Sequence, residues 1–164
     1  MHFCLVMAKP TFSHVIQKIE QASGLYHRLI LLVAPSGSGK TAALQGIKQQ
    51  LGVPLINVNL EVCRRMLELT ARQRALQVAR LLEDILREAD NEVVLLDNIE
   101  ILFEASLMQD PLRLLQGLSR NRTIVAAWNG NLEENILTYA SPDHQEYRRY
   151  QTDGLMFAEI EQIT

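Results

Sequence analysis

The sequence predicts an α/β fold, a three-layer α/β/α sandwich built on a five-stranded parallel sheet. Short apolar runs, none approaching a membrane span, recur along the chain and are bounded by turn residues. Stretches of helical periodicity separate them, and this alternation favours parallel pairing through right-handed crossovers. The strongest run, L-I-L-L-V-A from Leu29 to Ala34, opens directly into a glycine-rich loop and a helix.

The elements follow in order. Phe12 to Ala22 places Val15, Ile16 and Ile19 at helical spacing, with Ser13 as N-cap and Gly24 just past the end. Leu29 to Ala34 is an unbroken apolar strand that stops at Pro35, where ladder pairing becomes difficult. Thr41 to Leu51 reads as a helix ending at Gly52, and Val53 to Leu60 as a second strand entered at Pro54. Glu61 to Ala89 is helical in two blocks, and Asp90-Asn91 turns the chain. Val93 to Leu96 forms a third strand that ends in Asp97, and Pro111 suits the first turn of a helix reaching Leu118. Thr123 to Trp128 is a fourth strand closed by the turn dipeptide Asn129-Gly130. Leu132 to Tyr139 reads as helical, and Gly154 to Ala158 as the fifth strand. With 164 residues, a single domain is expected: residues 1–28 form a helix and lead-in, and residues 29–158 the core.

Composition narrows the partners. Hydrophobic residues make up 48% and charged residues 21%, near globular averages, and the net charge of −3 gives no general bias toward nucleic acid or acidic membranes. Only Lys9, Lys18, Lys40 and Lys48 are lysines among 16 basic residues. Arginine suits bidentate pairing with phosphate and carboxylate, although coding bias explains the excess equally well. Arg64, Arg65, Arg72, Arg74, Arg80 and Arg87 alternate with acids, which reads as a solvated face or as a nucleic-acid or partner surface. Cys4 and Cys63 lack metal-ligand spacing, and the four histidines are scattered, so no metal cluster of His and Cys is expected. The first residues carry no leader pattern, and a cytoplasmic location without membrane contact is the expectation.

The loop after the first strand is built for phosphate. In A-P-S-G-S-G-K-T, Pro35, Ser36, Gly37, Ser38 and Gly39 lead into Lys40, Thr41 and Ala42. Gly37 and Gly39 allow dihedrals that turn successive N–H groups inward as an anion nest. Lys40 supplies a charge for β- and γ-phosphates, the Thr41 hydroxyl can ligate Mg²⁺, and the helix start adds its dipole. Ala34 stands where the first glycine of the strict motif belongs, and alanine is small enough for the relaxed form.

Ligands of parallel sheets sit at the carboxyl ends of the strands, which directs attention to the residues there. Asp97 would place a carboxylate in the Mg²⁺ shell, usually through water. Asn98 follows it, and Glu100 in D-N-I-E is the nearest other carboxylate. Glu100 either polarises attacking water, should the backbone turn after Asp97, or caps the next segment as a solvated glutamate. Asn129 can hydrogen-bond a γ-phosphate or orient water, and Asn57 or Asn59 can hold the catalytic carboxylate inactive until a partner binds. Arg148 or Arg149 in H-Q-E-Y-R-R-Y stands just before the last strand, where resemblance to AAA+ ATPases implies an arginine that reaches a neighbouring subunit's γ-phosphate; the alternative is a surface pair stacking on Tyr147 and Tyr150, and Arg120 and Arg122 are held in reserve.

Together A-P-S-G-S-G-K-T, V-V-L-L-D-N-I-E and A-A-W-N-G resemble the additional-strand, AAA+-like branch of P-loop ATPases. That resemblance implies ATP with Mg²⁺ as cofactors, and a sheet in which the Asn129 strand separates the Asp97 strand from the phosphate-loop strand. It implies ATPase activity in a homo-oligomer, with catalytic roles for Lys40, Asp97, Glu100, Asn129 and Arg148 or Arg149. A guanine-selective N-K-x-D is absent, so ATP is expected over GTP, and the chain has no room for the usual helical lid. I-N-V-N-L-E-V, C-R-R-M-L-E-L, D-P-L-R-L-L-Q and L-S-R-N-R-T-I-V-A-A-W-N-G further resemble the BrxF family, the small P-loop proteins of BREX-type bacteriophage-defence systems. This implies an antiphage role beside larger BREX proteins. Two other functions stay open: a nucleotide sensor with negligible turnover, and a DNA-binding ATPase whose arginine-rich helix contacts phosphates.

Overall fold

The computed structural model describes residues 3–160. Helix α1 (Phe3–Ala22) precedes strand β1 (Leu29–Ala34), followed by α2 (Lys40–Leu51), β2 (Leu55–Asn57), α3 (Val58–Met66) and α4 (Ala71–Ala89). Strand β3 (Val93–Asp97) leads through 3-10 turns Ile99–Phe103 and Ala105–Leu107 to α5 (Pro111–Leu118). The chain finishes with β4 (Thr123–Glu133), β5 (Ile136–Tyr139), β6 (Arg148–Gln151) and β7 (Met156–Ala158).

Five strands run parallel in the order β2-β3-β4-β1-β7, as the motif order implied, with β4 between the Asp97 strand and the phosphate-loop strand. Alternation along β1 divides the core. Ile30 and Leu32 pack under α1 and α2 with Val15, Leu44 and Ile47, while Leu29 and Leu31 face the α3 and α4 side with Val62, Leu82 and Leu86. Two-sided burial explains why the strand reads as a continuous apolar run. Each such aliphatic side chain contributes about 1.5–3 kcal/mol of burial. Local signals set the helix ends. Thr70 and Gln73 form a reciprocal capping box at α4, Asn57 caps α3, and Asp110 caps α5 before Pro111.

Four expectations need correction. The predicted helix from Leu132 to Tyr139 is the end of β4, a two-residue turn and β5. Glu134 and Asn135 take φ 49 and 64, the left-handed pair that a tight hairpin turn requires, and burial then alternates along Ile136–Tyr139. Leu132, Ile136 and Leu137 fit helical spacing as well, which is why the pattern misleads. Asn129-Gly130 makes no turn, because β4 runs straight through it. The second strand ends at Asn57, since the Asn57 cap starts α3 at Val58 rather than Glu61, and the two helical blocks expected up to Ala89 are α3 and α4. Helix α1 begins at Phe3 rather than Phe12. Strands β5 and β6 add an antiparallel extension to β4, so the sheet has seven strands in all. Among the described residues no helix follows β7, and none is long and apolar enough to cross a membrane.

Candidate active site

The loop after β1 turns sharply, with Gly37 and Gly39 at φ 80 and 91, conformations that a Cβ would strain. Gly39 caps α2, leaving the first N–H groups of a twelve-residue helix to face the cleft. Lys40 is the first residue of that helix and is only 6% exposed. Its Nζ donates to the Ala34 carbonyl at 2.8 Å and the Pro35 carbonyl at 2.7 Å, which leaves one N–H of the ammonium for a phosphate. Burial pulls its ammonium below the usual lysine range, against the opposing charges of Glu100 and Asp97. Ser38 Oγ donates to the Pro35 carbonyl and tightens the loop.

Across the cleft, β3 delivers Asp97, 7% exposed, whose Oδ2 accepts the Thr41 hydroxyl at 2.6 Å. Its Oδ1 accepts the Asn98 N–H at 2.9 Å. A hydroxyl and a carboxylate side by side are hard oxygen donors that would suit Mg²⁺. Among the described residues no group of three His, Cys, Asp or Glu forms a metal cage.

Asn98 adopts φ 54, a left-handed kink that asparagine tolerates better than most residues. The kink sends the chain into the Ile99–Phe103 turn and brings Glu100 to the cleft wall beside Asn98. Asn129, in β4, donates from Nδ2 to Glu100 Oε1. A cleft of about 470 Å³ is thereby lined by Ser36, Gly37, Gly39, Lys40, Thr41, Ala42, Gln45, Asp97, Asn98, Glu100 and Asn129. Pro35 and Ser36 border a second cavity of about 560 Å³, which shares Glu100 and Asn129 and extends to Tyr139, His144 and Glu146. Gln45 escaped the sequence reading, although its position one turn beyond Thr41 was the available signal.

The other candidates lie elsewhere. Asn57 Oδ1 is occupied by the Leu60 N–H, and the Asn59 N–H donates to the Asn98 carbonyl; neither side chain holds Glu100. Arg148 and Arg149 lie on β6, where Arg148 donates to the Gln109 carbonyl at 3.1 Å and Arg149 is exposed; neither lines the cleft of its own chain. Tyr150 bonds Asp110, and burial beside that charge pushes its phenol up to about 12. Arg120 stacks over Tyr26 and Arg122 pairs with Glu83 at 3.2 Å, both near the amino end of β4, opposite the cleft. Arg64, Arg65 and Arg87 pair with Glu61, Glu88 and Asp84, as the solvated-face reading expects.

A glycine-cradled helix start, the Thr41–Asp97 contact and the strand order define a P-loop nucleotide-binding domain of the AAA+ type. The model of the ATPase family associated with various cellular activities (AAA) matches residues 30–136, and the chain belongs to that family. Among solved structures, PCH-2 of C. elegans superposes with a TM-score of 0.52 at 19% identity, over 93% of this chain and 42% of that one. The replication initiator DnaA bound to AMPPCP and single-stranded DNA gives 0.51 at 20% identity, over 92% and 45%. These likenesses show the fold, and the chain spans less than half the length of either. No curated protein matches the chain.

Proposed function

We propose that the protein is a Mg²⁺-dependent ATPase subunit that works as a homo-oligomer. The observation that carries this reading is Glu100, brought by the Asn98 kink onto the wall of the phosphate cleft and hydrogen-bonded there by Asn129. Lys40 and the loop N–H groups bind phosphate, and Thr41 and Asp97 hold Mg²⁺, which supplies charge neutralisation when bound. Glu100 orients and deprotonates the attacking water, with Asn129 fixing its carboxylate. A neighbouring subunit's Arg149, exposed on β6, or Arg148 contributes the transition-state cation. The resemblance to the BrxF family supports antiphage defence beside larger BREX proteins, checked by co-purification of those proteins with this chain.

ATP turnover per subunit, measured as protein concentration rises and with Lys40→Ala as the contamination control, tests the reading. Specific activity that climbs with concentration and is absent from the variant supports sites completed between subunits. Activity at the variant's level despite ATP binding refutes autonomous hydrolysis. That outcome would favour a nucleotide-sensing module, a reading supported by an asparagine, Asn98, rather than a carboxylate directly after Asp97. The Asp97→Asn variant is expected to lose roughly 10²–10³-fold in turnover. A Mg²⁺ titration of its rate checks this, and a response equal to that of the unaltered protein would remove Asp97 from the metal site. Binding to DNA that weakens steeply with salt would instead favour the DNA-contacting alternative, against which the paired arginines count.

A further inference from the structure

We propose that Tyr139 is a positioning residue for Glu100, acting through the Phe103 ring, so that the β4–β5 hairpin sets the geometry of the proposed catalytic carboxylate. The inference rests on the reading of Glu100 given above. Glu100 stands on the five-residue 3-10 turn Ile99–Phe103, a kind of segment with poor internal hydrogen-bond geometry that depends on its surroundings for orientation. Two contacts supply that orientation. Near its start, Asn129 Nδ2 holds the Glu100 carboxylate. At its end, Phe103 stacks face to face on Tyr139, with centroids 3.4 Å apart and planes 7° from parallel, while Trp128 meets both rings edge-on.

Both contacts come from one hairpin. Gly130 lies opposite Tyr139 in the antiparallel register, and the Ala140 N–H donates to the Asn129 carbonyl at 3.0 Å. Trp128 Nε1 donates to the Thr138 carbonyl at 3.0 Å and locks the pair of strands. Phe103 and Tyr139 are 1% and 4% exposed, so the stacked faces are withdrawn from solvent. Burial, with the charges of Glu100 and Glu146, pushes the Tyr139 phenol above its ordinary range, so the ring remains uncharged where the enzyme would operate. Since β5 lies outside the five-stranded parallel sheet while Asn129 stays paired with Ala34 at the end of β1, displacement of β5 would move Phe103 and its turn while Asn129 and the phosphate loop stay in place.

Single-turnover hydrolysis of radiolabelled ATP by the full chain, in a cycle of Tyr139→Leu and Glu100→Gln, tests this. Tyr139→Leu is expected to lower the rate by roughly 10–100-fold with ATP affinity unchanged, and Tyr139→Phe to restore most of it by keeping the stack. In the Glu100→Gln background, Tyr139→Leu should cost nothing further, a non-additivity that a general loss of stability would not produce. Equal losses in both backgrounds, no loss, or a Tyr139→Phe variant as slow as Tyr139→Leu would overturn the proposal. If Glu100→Gln alone hydrolyses ATP normally, the reading of Glu100 fails, and this inference with it. Should Tyr139→Leu not fold, as judged by circular dichroism, Phe103→Leu breaks the same stack from the other side and is judged by the same outcomes.

Discussion

In the Lys40→Ala variant, ATP turnover is expected to fall by roughly 10²–10³-fold while the fold survives. Lys40 is the one lysine of the cleft lining, and its Nζ already lies among carbonyls at the mouth of the loop. Burial disfavours its charged form, so the ammonium costs stability below its lowered folded-state pKa. That cost is relieved as pH rises past the lowered value toward 10.5, beyond which both states are neutral. Removing the charge therefore should not lower the thermal midpoint, and the functional loss stands apart from stability. ATP affinity of the unaltered protein should likewise decline, as pH rises, before an ordinary lysine would lose its proton. Phosphate release and thermal unfolding measured side by side check both points, and turnover that persists in the variant would refute a phosphate-binding role for Lys40.

Gly130→Val is expected to destabilise the protein by about 3 kcal/mol or more. A Cβ on Gly130 would overlap the Thr138 carbonyl oxygen, and it would stand 2.8 Å from the Thr138 carbonyl carbon and 3.1 Å from Trp128 Nε1. The first obstacle is backbone of the paired strand, so relief requires β5 to leave β4. Trp128, the only tryptophan, would lose its Thr138 partner and become wetter. Thermal unfolding followed by tryptophan emission reads both effects, a lower midpoint and a red-shifted native spectrum. An unchanged midpoint would show that the hairpin is loosely held, contrary to the close packing at Gly130.

Much of the site was legible because its chemistry is local. A-P-S-G-S-G-K-T carries a loop whose backbone, helix start and lysine are contiguous, and V-V-L-L-D is a strand that ends where its carboxylate is needed. The reach of Glu100 was conditional on a turn after Asp97, and the left-handed conformation of Asn98 supplies that turn. Asn129 was found at a strand end, yet its role as the holder of Glu100 depends on a contact across 29 residues. The helix expected over Leu132 to Tyr139 failed because three apolar residues fit two periods equally, and pairing with β4 decides between them.

The sequence by itself determined the five parallel strands and the phosphate loop, because short apolar runs and glycine-rich turns express backbone preferences that need no distant partner. Only the tertiary structure decided the hairpin, the Phe103–Tyr139 stack and the engagement of Glu100, since each depends on surfaces that meet after the strands have paired. Long-range packing overrides local propensity there, since strand scales span only about 1 kcal/mol.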